Sequence, residues 1–243
     1  MKRLSLVFGS IILLSVFVSN SHAQFGLGVG VGIHGGMDRF TVSSLERSVK
    51  LMDLTQVSVI REEVKNPIMG GIDIFINTLP VIDFQISVDG SKITYPVKYI
   101  RPNPTIMHPL NQDTTKYDVP FGRIGVYVTI KKNLITIPPI LKTITIYAGV
   151  GAGAHYIAPL VSEKFIYDHL KTKAEELDVD GILKEDIAKE MVYGGHALLG
   201  LRLKLPILPI QAFGEGKLTI VPAGKYEQPS KFLSIYAGLA YML

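Results

Sequence analysis

Gly30, Gly32 and Gly35 reproduce the spacing G-x-G-x-x-G, in which backbone amides cradle a pyrophosphate at the start of a helix. A second glycine run, "GVGAGA", occupies Gly149–Ala154. His34, His155 and His196 have the side chain of a general base or metal ligand. "DVDG" at Asp178–Gly181 opens like a calcium loop, but Ile182 and Lys189 stand where that loop needs an Asp or Asn and a Glu. No compact Ser/His/acid set accompanies the histidines. The residues therefore assign no catalytic group, no cofactor and no metal site. Asp73, Asp83, Arg123, Arg202, Lys204, Glu215 and Lys217 remain as charges that need a reason.

The elements that carry these residues decide among the readings. A dinucleotide loop needs a strand before the glycines, a helix after them and an acidic residue about 20 positions on. Here the glycines continue a period of two. Phe25, Leu27, Val29, Val31 and Ile33 share one face; Gly26, Gly28, Gly30, Gly32 and His34 share the other. The same alternation runs through residues 71–77, 82–89, 123–131, 144–155, 196–205, 210–218 and 233–243. Each run is about ten residues, enough to cross a bilayer when tilted. The glycine faces leave room for bulky inward neighbours such as Phe75 and Tyr236, and "GVGAG" does the same on the fifth strand.

The connections alternate in length. Three are short and marked by proline, near Pro80, at Pro138 and Pro139, and between Pro206 and Pro209. Four are longer and polar: residues 35–67, 90–120, 159–190 and 221–230. Eight strands with both termini on the short-turn side need three turns and four loops, so the count closes. A capping box at Ser43 and Glu46 predicts a helix in "SSLERSVKLMDL". Helical spacing of Phe165, Ile166, Leu170, Ala174 and Leu177 predicts helices in the third loop, and "VDGSK" at Val88–Lys92 suggests a tight hairpin.

Ahead of the first strand, Lys2 and Arg3, an apolar run from Leu4 to Val18 and Ala23 form a secretory signal peptide, residues 1–23, leaving 24–243 as the barrel domain. The chain has no cysteine, hence no disulfide and no cysteine-linked lipid anchor. A net charge of +4 without a basic aromatic cluster does not suggest nucleic acid. Mean hydropathy is +0.30, yet no later run of 18 apolar residues explains it as a helical span.

The pattern resembles the small outer-membrane β-barrels of Gram-negative bacteria, the OmpA-like and OmpX-like eight-stranded barrels. The sharpest part is "LSIYAGLAYML", since members of that family end in a strand with alternating apolar residues and an aromatic third from last. Leu239, Tyr241 and Leu243 fit as an assembly signal, with Leu243 where the family usually has phenylalanine. The resemblance implies a closed antiparallel transmembrane β-barrel of about eight strands, with short periplasmic turns and long extracellular loops. It also implies outer-membrane lipid, lipopolysaccharide and the barrel-assembly machinery as partners. It names no loop partner.

In such a barrel the apolar face meets lipid and the mixed face points inward. Asp73, Asp83, Gln85, Arg123, Tyr127, Arg202, Lys204, Glu215 and Lys217 then form a polar network filling a narrow lumen. The expected function is non-enzymatic, serving envelope integrity or surface interaction through the loops. A narrow channel or transporter of small polar or hydrophobic molecules, and a lipid-modifying barrel enzyme, are the alternatives. A soluble periplasmic sandwich is the competing fold.

Overall fold

A computed structural model describes residues 28–50, 56–77, 82–102, 112–137, 143–165, 191–204, 209–224 and 228–243. The signal-peptide segment, the calcium-like "DVDG" and most of the third-loop helices lie outside them. The alternation becomes strands because a residue with one apolar and one polar neighbour face can satisfy both only in a pleated sheet. In chain order they are β1 (Gly28–Arg39), β2 (Thr41–Val42), β3 (Leu45–Lys50), β4 (Gln56–Arg61), β5 (Val64–Lys65), β6 (Ile68–Asn77), β7 (Ile82–Pro102), β8 (Gln112–Ile137), β9 (Thr143–Ile157), β10 (Met191–Lys204), β11 (Ile210–Ile220) and β12 (Lys231–Met242).

Eight of these form a closed antiparallel ring in the order β1, β6, β7, β8, β9, β10, β11, β12. The first and last strands zip together from Gly30 against Met242 to Arg39 against Leu233. Closure leaves the ring with no unpaired edge, which is what backbone polar groups require in hydrocarbon. Strand boundaries place three short connections at one end, residues 78–81, 138–142 and 205–209, and the longer ones at the other.

The outer wall is an apolar belt. Ile33 is 66% exposed, Val150 62%, Leu199 59%, and Ile124 and Leu239 57% each. A continuous belt of this kind would aggregate in water, and lipid is the solvent that suits it. Exposed Arg39, Lys92 and Lys231 with Tyr156 and Tyr193 border it at the loop end. Lys132 and Tyr241 do so at the turn end, the interfacial placement usual for such residues.

Two expectations need correction. Residues 45–50 are not helical: β3 pairs with β4, Leu45 opposite Arg61 through Lys50 opposite Gln56. The Ser43/Glu46 capping signal loses to burial of Val57 and Val59 on the alternating strand "QVSVIR". "VDGSK" is not a hairpin, because Val88–Lys92 runs straight through β7, hydrogen-bonded to β6 on one side and β8 on the other. β7 and β8 are consequently 21 and 26 residues long and rise beyond the belt as a ribbon. The one helical segment among the described residues is a single turn at 163–165.

At the loop end, β4 joins the risen part of β7, Ser58–Arg61 against Val97–Ile100. Their inward side chains make an apolar cap with Tyr95, Val119, Phe121, Ile157, Leu160 and Phe232. Arg61, at the end of β4, is buried among these loop-end segments, donating to the carbonyl oxygens of Val161 (3.0 Å) and Ser43 (2.8 Å). A second apolar cluster of Phe75, Phe213, Tyr236 and Ala240 lies inside the ring toward the turn end.

Candidate functional site: an ion-paired lumen

Between the two apolar layers the inward face is ionic. β1 supplies Asp38 and His34, β6 Asp73, β7 Asp83, Gln85, Ser87 and Asp89. β8 supplies Arg123, Tyr127, Thr129 and Lys131, β10 Arg202, and β11 Glu215 and Lys217. Alternation puts them inward, and the glycines opposite make the space. A Cβ on Gly71 would overlap the His34 ring, one on Gly151 the His196 ring, and one on Gly200 the Tyr147 ring. A Cβ on Gly32 would lie 2.9 Å from Phe75.

Near the cap, Arg123 donates to Asp38 from both Nε (3.0 Å) and Nη2 (2.8 Å), and Ser234 donates to the same carboxylate at 2.6 Å. Arg123 also donates to the Tyr127 hydroxyl and lies 4.4 Å from the Phe232 ring centroid. In mid-barrel, Asp73 accepts from Gln85 (2.5 Å), Ser87 (2.6 Å) and His34 Nδ1 (2.6 Å). His34 Nε2 is 3.1 Å from Asp89 but not aligned for a hydrogen bond; Asp89 accepts from Lys217 at 2.5 Å.

Lower down, Glu215 accepts from Lys131, Tyr147 (2.7 Å) and Tyr236 (2.5 Å). The Lys131 ammonium sits 4.6 Å from the Tyr147 ring centroid. At the turn end Arg202 donates to Asp83 at 3.1 Å, this pair being slightly wetted at 11% and 8% exposure.

Among the described residues the lumen thus holds five buried carboxylates, Asp38, Asp73, Asp83, Asp89 and Glu215. Facing them are four basic side chains, Arg123, Lys131, Arg202 and Lys217. His34 lies between two of the carboxylates, its Nδ1 2.6 Å from Asp73 and its Nε2 3.1 Å from Asp89. Buried charges persist only when paired and hydrogen-bonded, which is what these contacts supply.

Eight of the nine residues expected in the network are in it. Lys204 is the exception: it keeps the inward register, opposite buried Gln211, but is exposed at the last position of β10, at the turn-end mouth of the lumen, with no ion pair among the described residues. Alternation alone does not say where the inward face leaves the lumen. Asp38, Asp89, Lys131, Tyr147 and Tyr236 belong to the network and follow the same inward period. His155 and His196, candidates for a base or a metal ligand by side chain alone, are both buried. His155 is fully buried against Tyr127 and Phe232, and His196 contacts Thr129 at 2.8 Å. Both His155 nitrogens lack a protein hydrogen-bond partner. Leu239, Tyr241 and Leu243 lie outward on or just after β12, on the lipid side.

A closed eight-stranded antiparallel ring with an apolar exterior and an ion-paired interior is a transmembrane β-barrel of the outer-membrane type. Among solved structures, the chain is similar to the outer-membrane protein OprG from Pseudomonas aeruginosa, at 9% identity and TM-score 0.44, covering 89% of this chain and 95% of that one. It is also similar to Neisserial surface protein A, at 11% identity and TM-score 0.41, covering 89% and 96%. Ail, the attachment invasion locus protein of Yersinia pestis, matches at 9% identity and TM-score 0.37, covering 89% and 99%. No family model matches the sequence, and neither does any curated protein.

Proposed function

We propose that the protein is a non-enzymatic outer-membrane barrel with a sealed lumen, serving envelope integrity or surface interaction through its capped loop end. In this reading residues 1–23 direct export, the short turns face the periplasm, and the assembly machinery engages the strand carrying Leu239, Tyr241 and Leu243. The observation that carries it is the stacking of an apolar cap, an ion-paired layer and an aromatic layer within one narrow ring. Each cation is held by a carboxylate, so an ion entering the lumen would have to break a desolvated pair.

Burial of His155 beneath the cap favours the same reading over a lipid-acting or proteolytic enzyme, because neither class of substrate reaches that ring. Planar-bilayer recording tests the proposal. A quiet bilayer is expected; reproducible openings that vanish when Arg123 or Asp83 is neutralised would establish a channel instead. Altered lipid A or phospholipid on expression, lost in His155→Ala, would establish an enzyme.

A further inference from the structure

The lumen ends unevenly on the turn side. Lys204 closes β10 in the inward register, yet it is exposed and has no ion pair among the described residues. Directly opposite it on β11 is Gln211, 2% exposed, whose Nε2 has no hydrogen-bond partner. Arg202 stands two residues further in, and Asp83 already holds its guanidinium at 3.1 Å. The three turns at this end, residues 78–81, 138–142 and 205–209, contain no Asp or Glu. An ammonium and a buried amide donor therefore stand side by side, and among the described residues no side-chain carboxylate is left to receive them.

Residues directly opposite in an antiparallel pair have Cβ atoms about 5 Å apart, so both donors reach one small group. Asn77 and Asn133 bring unpartnered Oδ1 acceptors to the same end from β6 and β8, neither of which adjoins β10 or β11. An anion thus has one wall to occupy. Charge selects which anion. Asp83 neutralises Arg202, so one negative charge balances Lys204 and the second charge of a phosphate goes unmet. Two donors on adjacent strands also match the two oxygens of a carboxylate, whereas a halide offers one atom. We infer that the turn-end mouth is a binding site for a small monocarboxylate, which accepts from Lys204 Nζ and Gln211 Nε2. Phe213, the next inward residue on β11, and Ala240, opposite Gln211, are buried and floor the site, so the ligand enters carboxylate first. The site lies outside the ionic layer, goes beyond the function proposed above and does not depend on which way the barrel faces.

The test is NMR of the nitrogen-15-labelled full-length protein in detergent micelles. It follows the Gln211 side-chain amide and the backbone amides of Lys204 and Gln211 while sodium acetate is added at constant ionic strength. Sodium phosphate and sodium chloride are the competing probes. Acetate should give a saturable shift, and both competitors should bind more weakly. Lys204→Met should weaken acetate about tenfold or more, the effect of losing one charge-assisted hydrogen bond. Gln211→Glu places a carboxylate beside Lys204 within the chain itself and should abolish acetate binding. Lys132→Gln is the control: that lysine is exposed on the outer wall at the same end, and its loss should leave the affinity unchanged.

No saturable shift with acetate, an equal response to chloride, or tighter binding of phosphate would each overturn the site. So would undiminished binding in Lys204→Met or Gln211→Glu, or an equal loss in Lys132→Gln, which would reduce the effect to general attraction by a basic end. Mobility on SDS gels before and after boiling shows that each variant keeps the barrel, so that lost binding is read as loss of the site and not of the fold.

Discussion

Glu215→Gln is the sharpest perturbation of the ionic layer. Wild-type Glu215 is fully enclosed and accepts from Lys131, Tyr147 and Tyr236. The amide keeps the shape and one acceptor oxygen, so little packing is lost. What changes is that the Lys131 ammonium, with 0% side-chain exposure, loses its counter-charge. Asp83 is opposite Lys131 in the sheet but already engages Arg202 at 3.1 Å, and the nearby Tyr147 ring is only a partial substitute.

Removing one partner of a buried pair costs about 3–5 kcal/mol, whereas replacing both by apolar groups is near neutral. Urea unfolding in lipid vesicles, followed by tryptophan-free far-UV circular dichroism because the chain has no Trp, gives the stability. Glu215→Gln should lose about 3–5 kcal/mol. Adding Lys131→Met should recover at least about 1 kcal/mol of that loss, a non-additivity expected of groups in direct contact. Additive losses, or a Glu215→Gln loss below about 1 kcal/mol, would show that the pair is hydrated and the lumen open.

Three further outcomes follow from the same contacts. Asp38→Asn strands the 2%-exposed Arg123 and should cost about 3 kcal/mol or more, against about 1 kcal/mol for Asp83→Asn at the wetted turn end; the reverse ranking in urea unfolding would contradict the burial argument. Gly71→Val drives a Cβ into the Val88 carbonyl and the His34 ring, so the heat-shifting folded form should be lost, while Gly216→Leu folds normally. In the cap, beyond the belt, burial pushes the Tyr95 hydroxyl from 10.0 up to about 12. The unfolded chain releases that proton first, so cap stability is full below pH 10 and falls as pH rises toward 12. Protease resistance of the loop end should fall over that window, and Tyr95→Phe should flatten the decline.

The ring was legible because a membrane barrel must repeat one simple rule, apolar out and mixed in, from Val29 to Leu243. The glycine runs were legible for the same reason, since Gly32 and Gly151 keep the alternation that a nucleotide loop would break. The loop end was harder. There β3, β4 and the rise of β7 and β8 pack against each other rather than against lipid, so local signals such as Ser43 with Glu46 compete with contacts distant in sequence. Tyr95, Val97 and Tyr99 do alternate, but nothing local says that Val57 and Val59 will meet them. Within the lumen, alternation identifies candidates yet not their heights around the ring. The pairing of Lys131 with Glu215 and of Arg123 with Asp38 depends on the stagger between strands, which no single strand encodes.

The seam between β1 and β12 has a consequence for how the barrel comes to exist. Leu243 donates its backbone N–H to the Val29 carbonyl across nearly the whole described chain, a closure costing about 5 kcal/mol of chain entropy before any contact offsets it. Until that seam forms, the ten residues from Gly30 to Arg39 present a bare hydrogen-bonding edge, and Asp38 has neither Ser234 nor a finished lumen around it. Insertion into lipid is therefore coupled to the arrival of the last strand: the wall cannot be seated piecemeal, and a template that occupies the β1 edge in the interval would set the rate of assembly.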